Sequence, residues 1–147
     1  MHHYTESGLD NIYLVNGYEI TLVDGEECIS YTGFEQIQRA IGVTICNQNS
    51  WMNAQQFKFL RKEFQLTQSA LGRLLFCDRQ SIARWEKSET AIPPLVDITL
   101  RALYLESIHE DSHVRLTIDS LADAEIADLN KEIRIENKDG KWQAVVT

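Results

Sequence analysis

Between Arg79 and Lys87 the chain gathers side chains suited to planar, polar partners: Arg79, Gln80, Arg84 and Lys87. A glutamine amide presents a donor and an acceptor side by side and pairs bidentately with adenine; an arginine fork pairs in the same way with guanine. Gln80 and Arg84 are four residues apart, so on a helix they share a face and reach neighbouring base pairs. A second set, Gln68, Ser69, Arg73 and Lys58 together with Lys87, offers the amide, hydroxyl and cationic groups that hold phosphate. Different chemistry is spelled by His109-Glu110-Asp111-Ser112-His113, the HExxH pattern. On a buried helix that pattern puts two histidines on zinc, with the glutamate activating water. Here its interior is hydrophilic and an alternating run begins at His113, so it reads as a loop, and the zinc hydrolase is the lesser alternative. His2 and His3 read as a frayed chain end. With no nucleophile–base pair and no phosphate-cradling glycine loop, the expectation is no enzyme, no cofactor and no metal.

The elements that would position these groups are short helices. Phe57, Leu60 and Phe64 recur at helical spacing on a first one. Thr67 is an N-cap for a second, Gln68–Leu75, whose inner face carries Leu71 and Leu75. Asp78 caps a third, Arg79–Lys87, with Ile82 and Trp85 inward. Ala91-Ile92-Pro93-Pro94 breaks the chain before a fourth, Leu95–Leu105, expected to turn Ile98, Ala102 and Leu105 to the core. Three residues separate the second and third helices. That is the helix-turn-helix layout, in which the second of the pair enters the major groove by its N-terminal end. Free N–H groups at both helix starts are further phosphate donors. Lys58, Arg61 and Lys62 read as a solvated face.

The run Leu66-Thr67-Gln68, Leu71-Gly72-Arg73-Leu74-Leu75 and Ser81-Ile82-Ala83-Arg84-Trp85-Glu86 resembles the Xre/Cro-type regulators. The resemblance implies a five-helix domain in which Gln68 meets phosphate, Gln80 and Arg84 read bases, and Trp85 and Glu86 are structural. Where the family usually has glycine after the second helix, this chain has Phe76, a costly residue if φ is positive there. The order of parts also resembles MqsA-type antitoxins, in which a small zinc ribbon precedes the DNA-binding domain. Tyr4-Thr5-Glu6-Ser7-Gly8-Leu9 looks like a ribbon start whose CxxC ligands have become Tyr4 and Ser7, and Phe59-Leu60-Arg61-Lys62 fits the entry to the second domain. Cys28 stands alone, whereas zinc needs three or four placed thiolates or imidazoles. The layout carries over and the metal does not.

Composition frames these readings. The net charge of −8 argues against nucleic acid. Its distribution reverses the argument: residues 1–52 hold seven acids and one Arg, residues 53–95 seven bases and four acids, and residues 96–147 eleven acids and six bases. A basic middle between acidic ends fits a phosphate-facing module flanked by parts that face something else. The three cysteines, Cys28, Cys46 and Cys77, are widely spaced and read as reduced thiols. No apolar run approaches the roughly 20 residues of a membrane helix, and the first ten residues do not read as a signal peptide, so cytoplasmic residence is expected.

The flanks are read from alternation. Ile12, Leu14, Tyr18, Ile20 and Leu22 around Asn16-Gly17 make a hairpin pattern. A short strand at Cys28–Tyr31 follows, then a helix through Phe34, Ile37, Ala40 and Ile41 that stops at Gly42. Residues 47–53 read as a polar linker. In the last segment His113–Ile118 alternates as a strand. Ser120 caps a helix from Leu121 to Ile133, and Arg134–Glu136 and Trp142–Val146 flank a turn at Lys138-Asp139-Gly140. The expected fold class is α+β. A helix-turn-helix domain at 53–107 lies between a β-hairpin/helix unit at 1–52 and a β-α-β-β extension at 108–147, the first candidate for dimerisation. The partners expected are double-stranded DNA and a second copy, with a toxin protein if the chain is an antitoxin and no membrane. A repressor is the leading function, with the antitoxin and a protein-binding adaptor as alternatives.

Overall fold

The computed structural model describes residues 1–109, 113–123 and 132–145. The protein is α+β, with three small antiparallel two-stranded sheets and six helices among the described residues.

The N-terminal unit pairs β1 (His2–His3) with β2 (Tyr13–Leu14) and β3 (Tyr18–Val23) with β4 (Glu26–Tyr31). The hairpin turn is therefore Asp24-Gly25, with φ 52° and 81°, and not Asn16-Gly17. Two positive-φ residues twist a two-residue loop to match the strands. Around Asp24-Gly25 the flanks offer six facing pairs, and Gly17 is left to bend the chain between β2 and β3. The loop from β1 to β2 closes on itself: the Tyr4 N–H donates to the Ile12 carbonyl at 2.8 Å, and the Leu9 N–H to Ser7 Oγ at 3.1 Å. Tyr4 and Leu9 are buried, the Tyr4 hydroxyl donating to Gln38 of the following helix at 3.0 Å.

The helix α1 (Phe34–Asn47) does not stop at Gly42. A Cβ at that position would lie 2.4 Å from the Tyr104 ring, so the glycine lets α1 approach α5 (Pro94–Ser107) closely. The segment after α1 is docked, not a solvated linker. Met52 is buried and its N–H donates to Asp97 Oδ2 at 2.7 Å, while Arg101 donates to the carbonyls of Gln48 (3.0 Å) and Ser50. Asn53 and Gln56 then form a reciprocal capping box that starts α2 (Ala54–Glu63). One cluster of buried side chains runs across the 52/53 boundary, from Tyr4, Ile41 and Ile45 to Phe57, Leu60 and Tyr104.

In α5 the inner face carries Asp97, Leu100 and Tyr104, whereas Ile98 and Ala102 are exposed and Leu105 is half-buried. This corrects the expected face. Apolar residues surround the whole helix, so their spacing did not define one side, and the buried Asp97–Arg101 pair (2.7 Å) occupies positions that polarity assigns to solvent.

The stretch expected as a strand from His113 is helical. Val114, Ile118 and Ala122 recur at intervals of four, and Ile118 and Ala122 are buried in α6 (Val114–Asp123). Alternation of Val114, Leu116 and Ile118 satisfied a period of two over a run too short to exclude the longer period. Ser120 consequently lies inside α6 and caps nothing. The remainder of the expected helix falls mostly on residues 124–131, outside the described residues. The last hairpin pairs β5 (Ile135–Lys138) with β6 (Lys141–Ala144) about Asp139-Gly140, as the turn signal implies. The β-α-β-β reading of the C-terminal segment thus becomes α-β-β among the described residues.

Candidate nucleic-acid interface

The helices α3 (Gln68–Leu75) and α4 (Arg79–Glu86) start where their caps require. Thr67 Oγ1 accepts the Ala70 N–H at 3.0 Å, and Asp78 Oδ1 accepts the Ser81 N–H at 2.7 Å. The Ser81 hydrogen bonds hold the Asp78 carboxyl below the usual carboxylate range, with Arg84 adding to the effect. Between the helices Phe76 adopts φ 53°, ψ 42°, the left-handed conformation for which the family pattern has glycine, and its ring is 96% exposed. The turn has the expected three residues, 76–78. The Cys77 N–H donates to the Gly72 carbonyl at 2.9 Å, and a Cβ on Gly72 would lie 2.8 Å from the Cys77 carbonyl oxygen. Gly72 is the residue that lets the turn fold back onto α3.

The inner face of α4 is locked. Ile82 is fully buried, and Trp85 packs edge-on against Phe57 with ring centroids 5.8 Å apart. Arg61 is buried, against its assignment to a solvated face. Its Nε and Nη2 donate to Glu86 at 2.6 and 2.9 Å, and its Nη1 to the Leu66 carbonyl at 2.8 Å. The planar arginine fork suits such a site because it satisfies two oxygens at once. Gln68 Nε2 joins the network by donating to Glu86 Oε1 at 3.2 Å. Four elements are therefore tied by one network: α2, the loop at Leu66, the start of α3 and the end of α4.

The outer face of α4 is the reverse. Arg79, Gln80, Arg84 and Lys87 are all exposed, and among the described residues none of their side chains makes a hydrogen bond or salt bridge. Ala83 is half-buried among them. Of the phosphate candidates, Ser69 and Lys58 are exposed, and Gln68 is half-buried with its amide already turned to Glu86. Arg73 is drawn elsewhere: its Nε donates to the Ala122 carbonyl of α6 at 2.7 Å. The structure thus groups the α4 residues on one face and directs Arg73 to α6. Sequence reasoning missed Arg61 as a structural residue. Its signal was present in the Glu86 that the family pattern already marked as structural, since a buried carboxylate needs a cation.

His109 and His113 both lie outside the helices. His109 follows the end of α5, His113 precedes α6, both are exposed, and residues 110–112 lie outside the described residues. Among the described residues no three His, Cys, Asp or Glu side chains are grouped to hold a metal ion. The cysteines are all free thiols, with burial pushing Cys46 up to about 11. No helix of the described residues is long and apolar enough to cross a membrane.

Comparison of the chain with protein-family models, with characterised proteins and with solved structures gives no match.

Proposed function

We propose that this chain is a sequence-specific, double-stranded-DNA-binding transcription regulator of the Xre/Cro type that reads the major groove with α4. The observation that carries the reading is the contrast between the two faces of that helix. One is immobilised by Ile82, Trp85 and the Arg61–Glu86 pair, and the other holds Arg79, Gln80, Arg84 and Lys87 exposed, with no side-chain hydrogen bond or salt bridge among the described residues. A rigid helix with unpartnered forks and amides is what base readout requires, because each bidentate contact depends on placement. In this reading the five-helix domain extends past the expected 53–107 to take in α6, so that it comprises α2–α6; Ser69, Gln68 and Lys58 meet phosphate, and two copies place their α4 helices one DNA turn apart on a pseudo-palindrome. Binding over a promoter would make the protein a repressor.

The test is a fluorescence-anisotropy titration of the DNA upstream of the protein's own gene against scrambled DNA, at two salt concentrations. Gln80→Ala and Arg84→Ala are expected to weaken the specific complex by about 1–3 kcal/mol and blur its preference. Lys58→Ala is expected to weaken both complexes alike and reduce the salt slope by about one unit. Equal losses on both DNAs from all three changes would overturn the assignment of roles. Weak, equal binding by the unmodified protein would favour the adaptor reading.

A second reading adds a protein partner, and the hairpin β3–β4 favours it. Its strands are solvent-exposed on both faces, with Ile20 (paired to Ile29) and Leu22 forming an apolar stripe edged by Glu19, Asp24, Glu26 and Glu27. Such a surface suits a basic protein, as in an antitoxin that holds its toxin and controls its own operon. Titration with the product of the adjoining gene, using Leu22→Lys as the control, tests it; equal binding by both forms would defeat this assignment.

A further inference from the structure

Among the described residues the helical bundle leaves a gap beneath α6. A cavity of about 310 Å3 lies among α2, α3, α5 and α6, walled by Leu71, Leu74 and Leu75 of α3, Leu100 and Leu103 of α5, and Ile118 of α6, among others. Among the described residues no charged side chain lines it, and Thr99 and Thr117 are the only lining residues with polar side-chain atoms. The Thr117 hydroxyl already donates to the His113 carbonyl at 3.1 Å. Protein interiors rarely leave voids larger than a water molecule, and an apolar cavity gives water too few partners to stay. Leu121, which also lines it, is 58% exposed and marks a mouth to solvent.

We infer that this cavity is the binding site of a small, neutral, apolar effector molecule. The volume sets its size: a cavity of about 150 Å3 accommodates benzene, so this one takes a molecule roughly twice as large, such as a fused bicyclic aromatic or a medium-length alkyl chain. The chemistry sets its polarity, with Thr99 able to serve one hydroxyl or carbonyl. The volume and the walls contributed by four helices favour a small molecule over a protein surface, which needs a broad face. A mechanical route leads from the cavity to α4. Arg73 ties α3 to the Ala122 carbonyl of α6, and Gly72, on the same helix, is gripped by the turn that launches α4. Filling the cavity loads α3 and shifts the turn. This regulatory consequence rests on the DNA-binding reading above; uptake of the ligand does not.

The experiment is a titration of the full chain with naphthalene and, separately, 1-decanol, followed by the methyl NMR signals of Leu, Val and Ile. Saturable shifts confined to the methyls of α3, α5 and α6 are expected, with Thr99→Met weakening uptake at least tenfold and Thr99→Phe abolishing it while raising Tm. Should Thr99→Phe fail to fold, Thr99→Met carries the comparison. The absence of saturation up to the solubility limit overturns the inference. So do shifts spread equally over Leu95 and Ile98 on the exposed side of α5, and so does a concentration-dependent change of the same methyls without ligand, which would make a second copy the occupant. In a parallel DNA titration, saturating ligand is expected to change affinity at least threefold. Uptake without that change, in a chain that binds DNA, overturns the effector role. Uptake by a chain that binds no DNA supports the ligand site and counts against the DNA-binding reading alone.

Discussion

Replacing Arg61 by Met tests the network that fixes α4. The Arg61 and Glu86 side chains are 9% and 3% exposed, so water cannot replace the lost partner. In Arg61→Met, Glu86 loses charged hydrogen bonds of 2.6 and 2.9 Å and keeps only Gln68 at 3.2 Å, while the Leu66 carbonyl loses its 2.8 Å donor. Removing one member of a buried pair costs about 3–5 kcal/mol, because the other is left charged in a poor solvent. That is a large part of the roughly 5–15 kcal/mol that holds a domain together, and at about 2–4 °C per kcal/mol it lowers Tm by roughly 10 °C. Glu86→Leu is expected to cost a similar amount. The double variant removes both charges and keeps the volume, leaving the Leu66 carbonyl without its donor, at about 1–3 kcal/mol, and the half-buried Gln68 amide without its acceptor. Urea unfolding followed by tryptophan fluorescence measures all four forms, with Trp85 as the buried reporter beside exposed Trp51 and Trp142. A loss below about 1 kcal/mol in Arg61→Met, or a double variant no more stable than the weaker single one, would refute the reasoning.

Gly42→Ala should destabilise by about 1–2 kcal/mol: alanine's gain of about 1 kcal/mol in a helix is outweighed by a Cβ 2.4 Å from Tyr104, whose ring is hemmed by Phe64 at 5.9 Å. A more stable variant in thermal unfolding would contradict this. Phe76→Gly should instead stabilise by up to about 1 kcal/mol, since the left-handed conformation costs a non-glycine residue about 1–2 kcal/mol and the exposed ring contributes no burial; a loss of stability would show that the ring has a partner. Asp78 and Glu63 should respond to pH with opposite signs. Asp78, held low, stabilises above the ordinary carboxylate range, and its contribution fades as pH falls, so the deficit of Asp78→Ala should vanish in acid. Glu63 is held high by burial, against Arg115 and Arg39, so Glu63→Gln should be the more stable form at neutral pH and lose that advantage as acid protonates the wild type; Tm against pH checks both.

What could be read from the sequence depended on how far each signal was local. The caps Thr67 and Asp78, the three-residue turn and the Asp139-Gly140 hairpin are set by residues within four positions of one another, and the structure has them where they were expected. Phe76 was legible as a conflict, and the structure resolves it by accepting the strained backbone. Distant partners defeated the rest. Gly42 looks like a helix stop until Tyr104 is beside it. Arg61 looks solvated between Lys58 and Lys62 until Glu86 meets it, and Asp97 looks exposed until the Met52 N–H reaches it. The choice between Asn16-Gly17 and Asp24-Gly25 needed the register on both flanks, because each dipeptide alone is a valid turn.

The same distinction explains how a chain of net charge −8 can present a cationic face. Arg61 is neutralised by Glu86 inside the fold, and Arg73 faces the Ala122 carbonyl, so neither contributes an unengaged cation to the α4 face. Arg79, Arg84 and Lys87 remain there, with Gln80 among them and Asp78 occupied as a cap. Four of the seven acids of the N-terminal segment, Glu19, Asp24, Glu26 and Glu27, lie on β3, β4 and their turn. At low ionic strength the screening length of about 30 Å lets those acids oppose an approaching polyanion; at physiological salt it falls to about 8 Å and only the local cations act. Under the proposed function the acidic hairpin should therefore slow DNA association chiefly at low salt. Neutralising Glu19, Glu26 and Glu27 to glutamine should raise the association rate in dilute buffer and leave it nearly unchanged at physiological salt. Stopped-flow measurements would decide it: an equal acceleration at both ionic strengths would mean that the hairpin lies against the DNA and acts by contact.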